Sequence, residues 1–189
     1  YVTITPYGKE IEPMVPDKAR VLSTFQKLSE IVGIDSIGWR YDPIFLNETY
    51  TMDYHIRLFT HMASVLEGYT KNCVISFIDL YQKVRKNFPE VRAVEKEDRL
   101  YLGKAMIEIA AEHGMTVRPC GEGDELSVYG ADCSGCMTFM NRQYIQVWIF
   151  QRGTSFERNV PVCWALTSEL IIPACICAGI VMQIMMRIR

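Results

Sequence analysis

Apolar residues follow two different spacings along the first 137 residues, and the two spacings alternate. Short runs such as 2–5 and 73–78 are typical of β-strands, and the second run is apolar enough for a strand buried on both faces. Between the runs, apolar residues recur every three or four positions, as on one face of a helix. On the second helix this face comprises Tyr54, Leu58, Met62 and Val65. The pattern predicts strands separated by helices.

The predicted helices carry sequence signals at their ends. Asp17 and Thr51 are residue types that cap helix N-termini, and a third helix begins near residue 96. Glycines at 33, 68 and 114 follow the last apolar position of each helix, where they commonly end it. The predicted strands cover residues 2–5, 36–41, 73–78 and 116–118.

Alternating strands and helices imply right-handed crossovers and a parallel sheet, so the fold class is α/β. Either a doubly wound sheet or part of a (β/α) barrel fits this order, and we favour a partial (β/α) barrel-like sheet. The chain opens at Tyr1 directly into a strand-like run, without an initiator methionine. We therefore expect that sequence before Tyr1 is missing.

The composition changes near Met137. Every lysine lies at or before Lys104 and every aspartate at or before Asp132, and helical periodicity is lost beyond Met137. Two regions are therefore predicted: a partial (β/α) domain over 1–137 and a tail over 138–189 without a fold of its own. Residues 170–186 are mostly apolar and just reach the length of a membrane-spanning helix, so a C-terminal anchor is an alternative.

The net charge and the cysteine content limit the kinds of partner and the cellular compartment that are expected. The formal net charge of −2 gives no general electrostatic case for binding nucleic acid or an anionic membrane. A small-molecule substrate or a protein is the expected partner, and a membrane is not. Seven cysteines without the spacing of a secreted scaffold, and no signal peptide, favour a cytoplasmic protein.

Polar residues near the carboxyl ends of the strands are the candidate ligand-lining residues, because ligands bind there in parallel α/β folds. Arg40 and Asp42 fall on the same side of their strand, where a guanidinium could bind a carboxylate or phosphate. An internal ion pair is the alternative. Asp79 could equally cap a helix. The full set is Arg40, Asp42, Ser76, Asp79 and Glu122.

The spacing of the cysteines, but not that of the histidines, is compatible with a metal site. Cys133 and Cys136 have C-x-x-C spacing, and with Cys120 they form a candidate metal or cluster site. Ordinary buried or loop thiols are the alternative. His55 and His61 are six positions apart and do not share a helix face, which favours packed or surface histidines.

Several longer strings occur in the same order as in one uncharacterised prokaryotic family: TITPYGKEIEP, IGWRYDPIFL, GYTKNCVISFIDLY, RKNFPEVR and YGADCSGCMT. Residues 1–137 thereby resemble the domain of unknown function 1848. The family continues to a C-terminal C-x-x-x-C-x-x-C motif that looks like the iron-sulfur motif of radical S-adenosylmethionine enzymes. The resemblance implies a 4Fe-4S cluster and S-adenosylmethionine in intact relatives, without naming a substrate.

The tail as written has no such motif, but another reading frame restores it. Residues 165–188 can be back-translated into codons and read again from the third base of each codon. In that frame the bases can encode IDIGAYNTCMHMCRYCYANYDEN, which contains the family's three cysteines and the sequences on both sides of them. We therefore expect a shifted-frame tail, a chain that holds neither cofactor, and no enzymatic activity from this fragment. The alternatives are a membrane-tethered small-ligand binding domain anchored by 170–186, and a metal-binding regulatory protein.

Overall fold

The computed structural model describes residues 1–136. The predicted tail 138–189 and the possible anchor 170–186 lie outside the described residues, and their predictions stay untested. Across the described part of the chain, no helix combines the length and apolar character that crossing a bilayer requires.

The three long helices form where apolar spacing and end signals predict them. Helix α1 (Lys18–Val32) follows Asp17 and ends at Gly33, whose φ of 90° favours glycine. Helix α2 (Met52–Leu66) begins after Thr51, whose side chain accepts a hydrogen bond from the backbone of Tyr54. A short helix, α3 (Gln82–Asn87), was not predicted, and α4 (Lys96–Glu112) covers the third predicted helix.

Four strands form one parallel sheet in chain order. They are β1 (Val2–Thr3), β2 (Trp39–Ile44), β3 (Asn72–Phe77) and β4 (Thr116–Pro119). The order β1-β2-β3-β4 is sequential, without the reversal that characterises a doubly wound sheet. The α/β class with a barrel-like parallel sheet is therefore confirmed.

The second strand differs from its prediction. It starts at Trp39 rather than 36 and continues past Tyr41 to Ile44. Pro43 has no N–H for the ladder, and the pairing with β3 shifts register between Tyr41 and Ile44 before it resumes. The proline therefore interrupts the ladder without ending the strand, and Asp42 becomes an interior strand residue.

The two faces of the sheet have different surroundings. One face carries Trp39, Tyr41, Cys73, Ile75 and Val117, which pack with buried residues of α1, α2 and α4 in a single apolar core. We call this the outer face, as in a (β/α) barrel whose helices surround the strands. The opposite, inner face contains the candidate site. Its members are Thr3, Thr5, Arg40, Asp42, Val74, Ser76, Arg118 and Cys120.

Candidate functional site on the inner face

Three of the predicted residues meet at Asp42. One oxygen of its carboxylate accepts a hydrogen bond from the Ser76 hydroxyl, and the other lies 3.3 Å from Nη1 of Arg40. All three residues are buried. Arg40 and Asp42 lie on the same side of their strand, as expected. They form the internal ion pair that was the alternative to a role in ligand binding.

Burial dominates the electrostatics of Asp42. It raises the pKa of the carboxyl, while the hydrogen bond from Ser76 and the charge of Arg40 oppose that shift. The negative charge of Asp79 adds to the increase. The carboxylate is thus stabilised by two neighbours in a region that disfavours charge.

Glu122 lies farther along the same edge. Its Oε1 accepts a hydrogen bond of 2.7 Å from the backbone N–H of Phe77, and its Oε2 lies 3.3 Å from Nη1 of Arg99. Burial raises the pKa of Glu122, and these two partners partly offset the shift. This carboxylate bridges the carboxyl end of β3 and the start of α4.

Asp79 is exposed and is not in contact with Asp42 or Glu122, although its charge raises the pKa of both. It accepts a hydrogen bond of 3.1 Å from the hydroxyl of Tyr81. The alternative role as a helix cap is wrong, because Tyr81 occupies the N-cap of α3.

A second polar network was missed from the sequence. Glu12 is buried and accepts a hydrogen bond of 2.7 Å from Thr5, which follows β1, and it forms an ion pair with Lys18 at the start of α1. Strand alternation can place Thr5, but Glu12 lies in a connection without periodicity. No signal in the sequence brings Glu12 to the sheet.

Arg118 was also missed, although the alternation that placed Arg40 could have placed it. The register sets Arg40, Val74 and Arg118 side by side on three neighbouring strands. Nη2 of Arg118 lies 2.9 Å from Asp132. Its buried Nε and Nη1 atoms have no hydrogen-bond acceptor among the described residues. Two guanidinium nitrogen atoms beside the inner face therefore lack an acceptor among residues 1–136.

Two of the three candidate cysteines meet. Sγ of Cys120 lies 3.4 Å from Sγ of Cys136, and both side chains are buried against Val74. Cys133 is partly exposed. Within residues 1–136, no three cysteine, histidine or acidic side chains are close enough together to hold a metal ion. The geometry thus gives the three-cysteine site no support.

His55 is packed, as its spacing favoured. Its Nδ1 lies 2.9 Å from the hydroxyl of Tyr41, and its Nε2 lies 2.9 Å from the carbonyl oxygen of Phe45. Burial lowers the pKa of His55 to about 4, so the ring is neutral at pH 7. His61 is on the surface.

Comparison with known proteins identified a family match. The model of a family described as a domain of unknown function, DUF1848, matches residues 1–168. The match extends past Met137, the expected boundary of the domain. No curated protein and no solved structure matched the chain.

Proposed function

This chain belongs to the DUF1848 family, and from that premise we propose that its inner face binds a small anionic ligand. The proposal rests on the guanidinium of Arg118, two of whose nitrogen atoms have no acceptor within residues 1–136. Arg118 is only partly exposed, and burying two guanidinium nitrogen atoms without an acceptor is costly; a carboxylate or phosphate is the ligand that a guanidinium recognises best.

The surroundings of Arg118 support the same ligand class. Arg40 is a second guanidinium in the same row, separated from Arg118 by the small side chain of Val74. Asp42 and Ser76 hold Arg40 in place, which limits the side-chain entropy lost on binding. This face corresponds to the interior of a barrel, towards whose carboxyl-terminal end ligands bind.

An iron-sulfur cluster does not fit the described residues. A radical S-adenosylmethionine motif needs three thiolates around one cluster, whereas within residues 1–136 only the sulfur atoms of Cys120 and Cys136 are in contact. The proposed ligand binding uses residues of the inner face and needs no cluster, and this chain as written is proposed to be inactive as an enzyme.

Intact relatives are proposed to be iron-sulfur, radical S-adenosylmethionine-like proteins whose cluster region corresponds to the shifted-frame tail. In that frame each cysteine codon combines the third base of one written codon with the first two bases of the next. The three pairs of written residues are Pro173 and Ala174, Cys177 and Ala178, and Ile180 and Val181. The agreement of both flanks and the cysteine spacing supports this proposal. The membrane-tethered alternative rests only on the apolar composition of 170–186.

Ligand binding is tested with inorganic phosphate and, separately, citrate as probes of the full chain, one for each of the two anionic groups. We expect at least one probe to bind, and Arg118→Gln to weaken it by about tenfold or more, since a charge-assisted hydrogen bond contributes roughly 1.5–3 kcal/mol. Arg20→Gln is the matched control, because Arg20 is exposed on α1. Equal affinity in Arg118→Gln, or binding of neither probe by titration calorimetry, would exclude this ligand class.

The frame proposal is tested by sequencing the encoding DNA from the Met137 codon onward and by anaerobic reconstitution with iron and sulfide. The corrected chain is expected to gain the absorbance of a 4Fe-4S cluster, and the chain as written to gain none. A stoichiometric cluster in the written chain, or a DNA sequence without the three cysteine codons, would refute the proposal.

A further inference from the structure

We propose that Cys120 and Cys136 are a redox-active dithiol that closes reversibly into a disulfide at the edge of the inner face. Their sulfur atoms are 3.4 Å apart, and both side chains are buried on Val74. A disulfide bond is about 2.05 Å long, so the sulfurs need to approach by only about 1.4 Å. This proposal does not require the inner face to bind a ligand.

Separate interactions hold the two cysteines in this arrangement. The backbone N–H of Cys120 donates to the carbonyl of Ile75, at 2.9 Å, which extends the pairing of β4 with β3. The carbonyl oxygen of Cys136 accepts a hydrogen bond of 3.0 Å from the hydroxyl of Tyr1. The Tyr1 ring lies against Gly38, where an added Cβ would be 2.3 Å from a ring carbon.

The segment that leads to Cys136 is tied to β4 as well. The N–H of Asp132 donates to the carbonyl of Val117, at 2.9 Å, and its carboxylate lies 2.9 Å from Arg118. The pairing of the sulfurs therefore follows from the fixed positions of both backbones. Such prior alignment is what accelerates an intramolecular reaction over its bimolecular counterpart.

The remaining described cysteines are unsuited to the same chemistry. Cys73 lies fully buried on the outer face, and burial raises the pKa of its thiol well above the usual value. Burial and the charges of Asp124 and Asp132 raise the pKa of Cys133. Neither residue has a second sulfur atom in contact within residues 1–136, whereas Cys120 and Cys136 face each other, so only that pair is placed to close a disulfide there.

A low-molecular-weight disulfide such as oxidised glutathione is a sufficient oxidant. The thiolate of one cysteine attacks a sulfur of this disulfide, and a mixed disulfide forms as one glutathione thiolate leaves. The second cysteine then attacks the protein sulfur and releases the other glutathione. Two protein thiols become one disulfide, and their two electrons and two protons end on two molecules of glutathione.

The experiment exposes the full chain to oxidised glutathione, in a parent protein with Cys163, Cys175 and Cys177 replaced by serine. After alkylation of the remaining thiols, a protease that cuts after Glu122 and Glu125 separates Cys120 from Cys136. Mass spectrometry is expected to find the two peptides joined, with a mass two hydrogen atoms below the sum of the separate peptides. Treatment with dithiothreitol should separate them again.

Single cysteine variants and a sample unfolded in urea test whether the cross-link is specific to Cys120 and Cys136 and depends on the fold. Cys133→Ser is the matched control and should leave the yield unchanged, whereas Cys120→Ser and Cys136→Ser should each abolish the cross-link. The folded protein should form it at least about tenfold faster than the protein in urea, because the fold aligns the sulfurs. An equal rate in urea, or an undiminished cross-link to Cys133 in Cys136→Ser, would overturn the proposal.

Discussion

Asp42 has a partner on each carboxylate oxygen, and both partners are buried with it. The charge of this carboxylate is favourable only while Arg40 and Ser76 remain in place, so the loss of one side chain should lower the stability of the site. Strand alternation was sufficient to predict the side on which Arg40 and Asp42 lie. It could not predict the network of Glu12, whose position depends on how an irregular connection folds back onto β1.

Replacing Asp42 by alanine is expected to destabilise the fold by about 3 kcal/mol, because it removes the carboxylate that faces a buried guanidinium. Ser76→Ala should cost less, roughly 1–2 kcal/mol, since it removes one hydrogen bond. Urea unfolding of both variants measures the difference. A larger loss for Ser76→Ala than for Asp42→Ala would contradict the view that the ion pair is the more important contact.

His55 makes stability depend on pH. Its pKa is lowered to about 4 in the folded chain, against about 6.5 when unfolded, so the unfolded state binds the proton more readily between these values. Stability from this residue is therefore fully present above about pH 6.5 and is lost as the pH falls towards 4. The loss is on the order of 3 kcal/mol.

The contribution of His55 is isolated by comparison with His55→Gln, measured by urea unfolding at several pH values. The variant should be less stable at pH 7 and should lose less stability than the parent between pH 6.5 and pH 4. Parallel pH profiles for the two proteins would show that His55 does not titrate in this way.

At the scale of the elements, the long helices were predicted almost to the residue, but the buried side of α2 was not. The predicted stripe shares only Met62 with the buried set, which also contains His55, Phe59, Ala63 and Leu66. Two adjacent stripes of α2 are both largely apolar. Which one meets the sheet depends on tertiary placement that periodicity alone does not determine.

The N-terminus of α2 offers a direct test of a local signal. The hydroxyl of Thr51 accepts a hydrogen bond of 3.2 Å from the N–H of Tyr54, so Thr51→Ala should destabilise the fold by about 1 kcal/mol. Thr51→Ser keeps the acceptor and should be close to the parent in urea unfolding. If serine and alanine were equally destabilising, the hydrogen bond would not be the stabilising feature of this position.

At the scale of the whole molecule, the sheet and its helices lie within residues 1–136, whereas the family match reaches residue 168. We expect a chain ended at Met137 to keep a cooperative urea transition and the same far-ultraviolet circular dichroism per folded residue. Loss of the transition would instead assign part of 138–168 to the fold and overturn the predicted domain boundary.

The sequential order of the strands has a consequence for synthesis on the ribosome. Position 2 pairs with 39, position 39 with 73, and position 73 with 117, so each strand finds its partner in the segment made just before it. At about 5–20 residues per second, translation delivers the next strand within roughly 2–9 s. The sheet can thus grow by one strand at a time during translation, because no strand has to be inserted between two that have already paired.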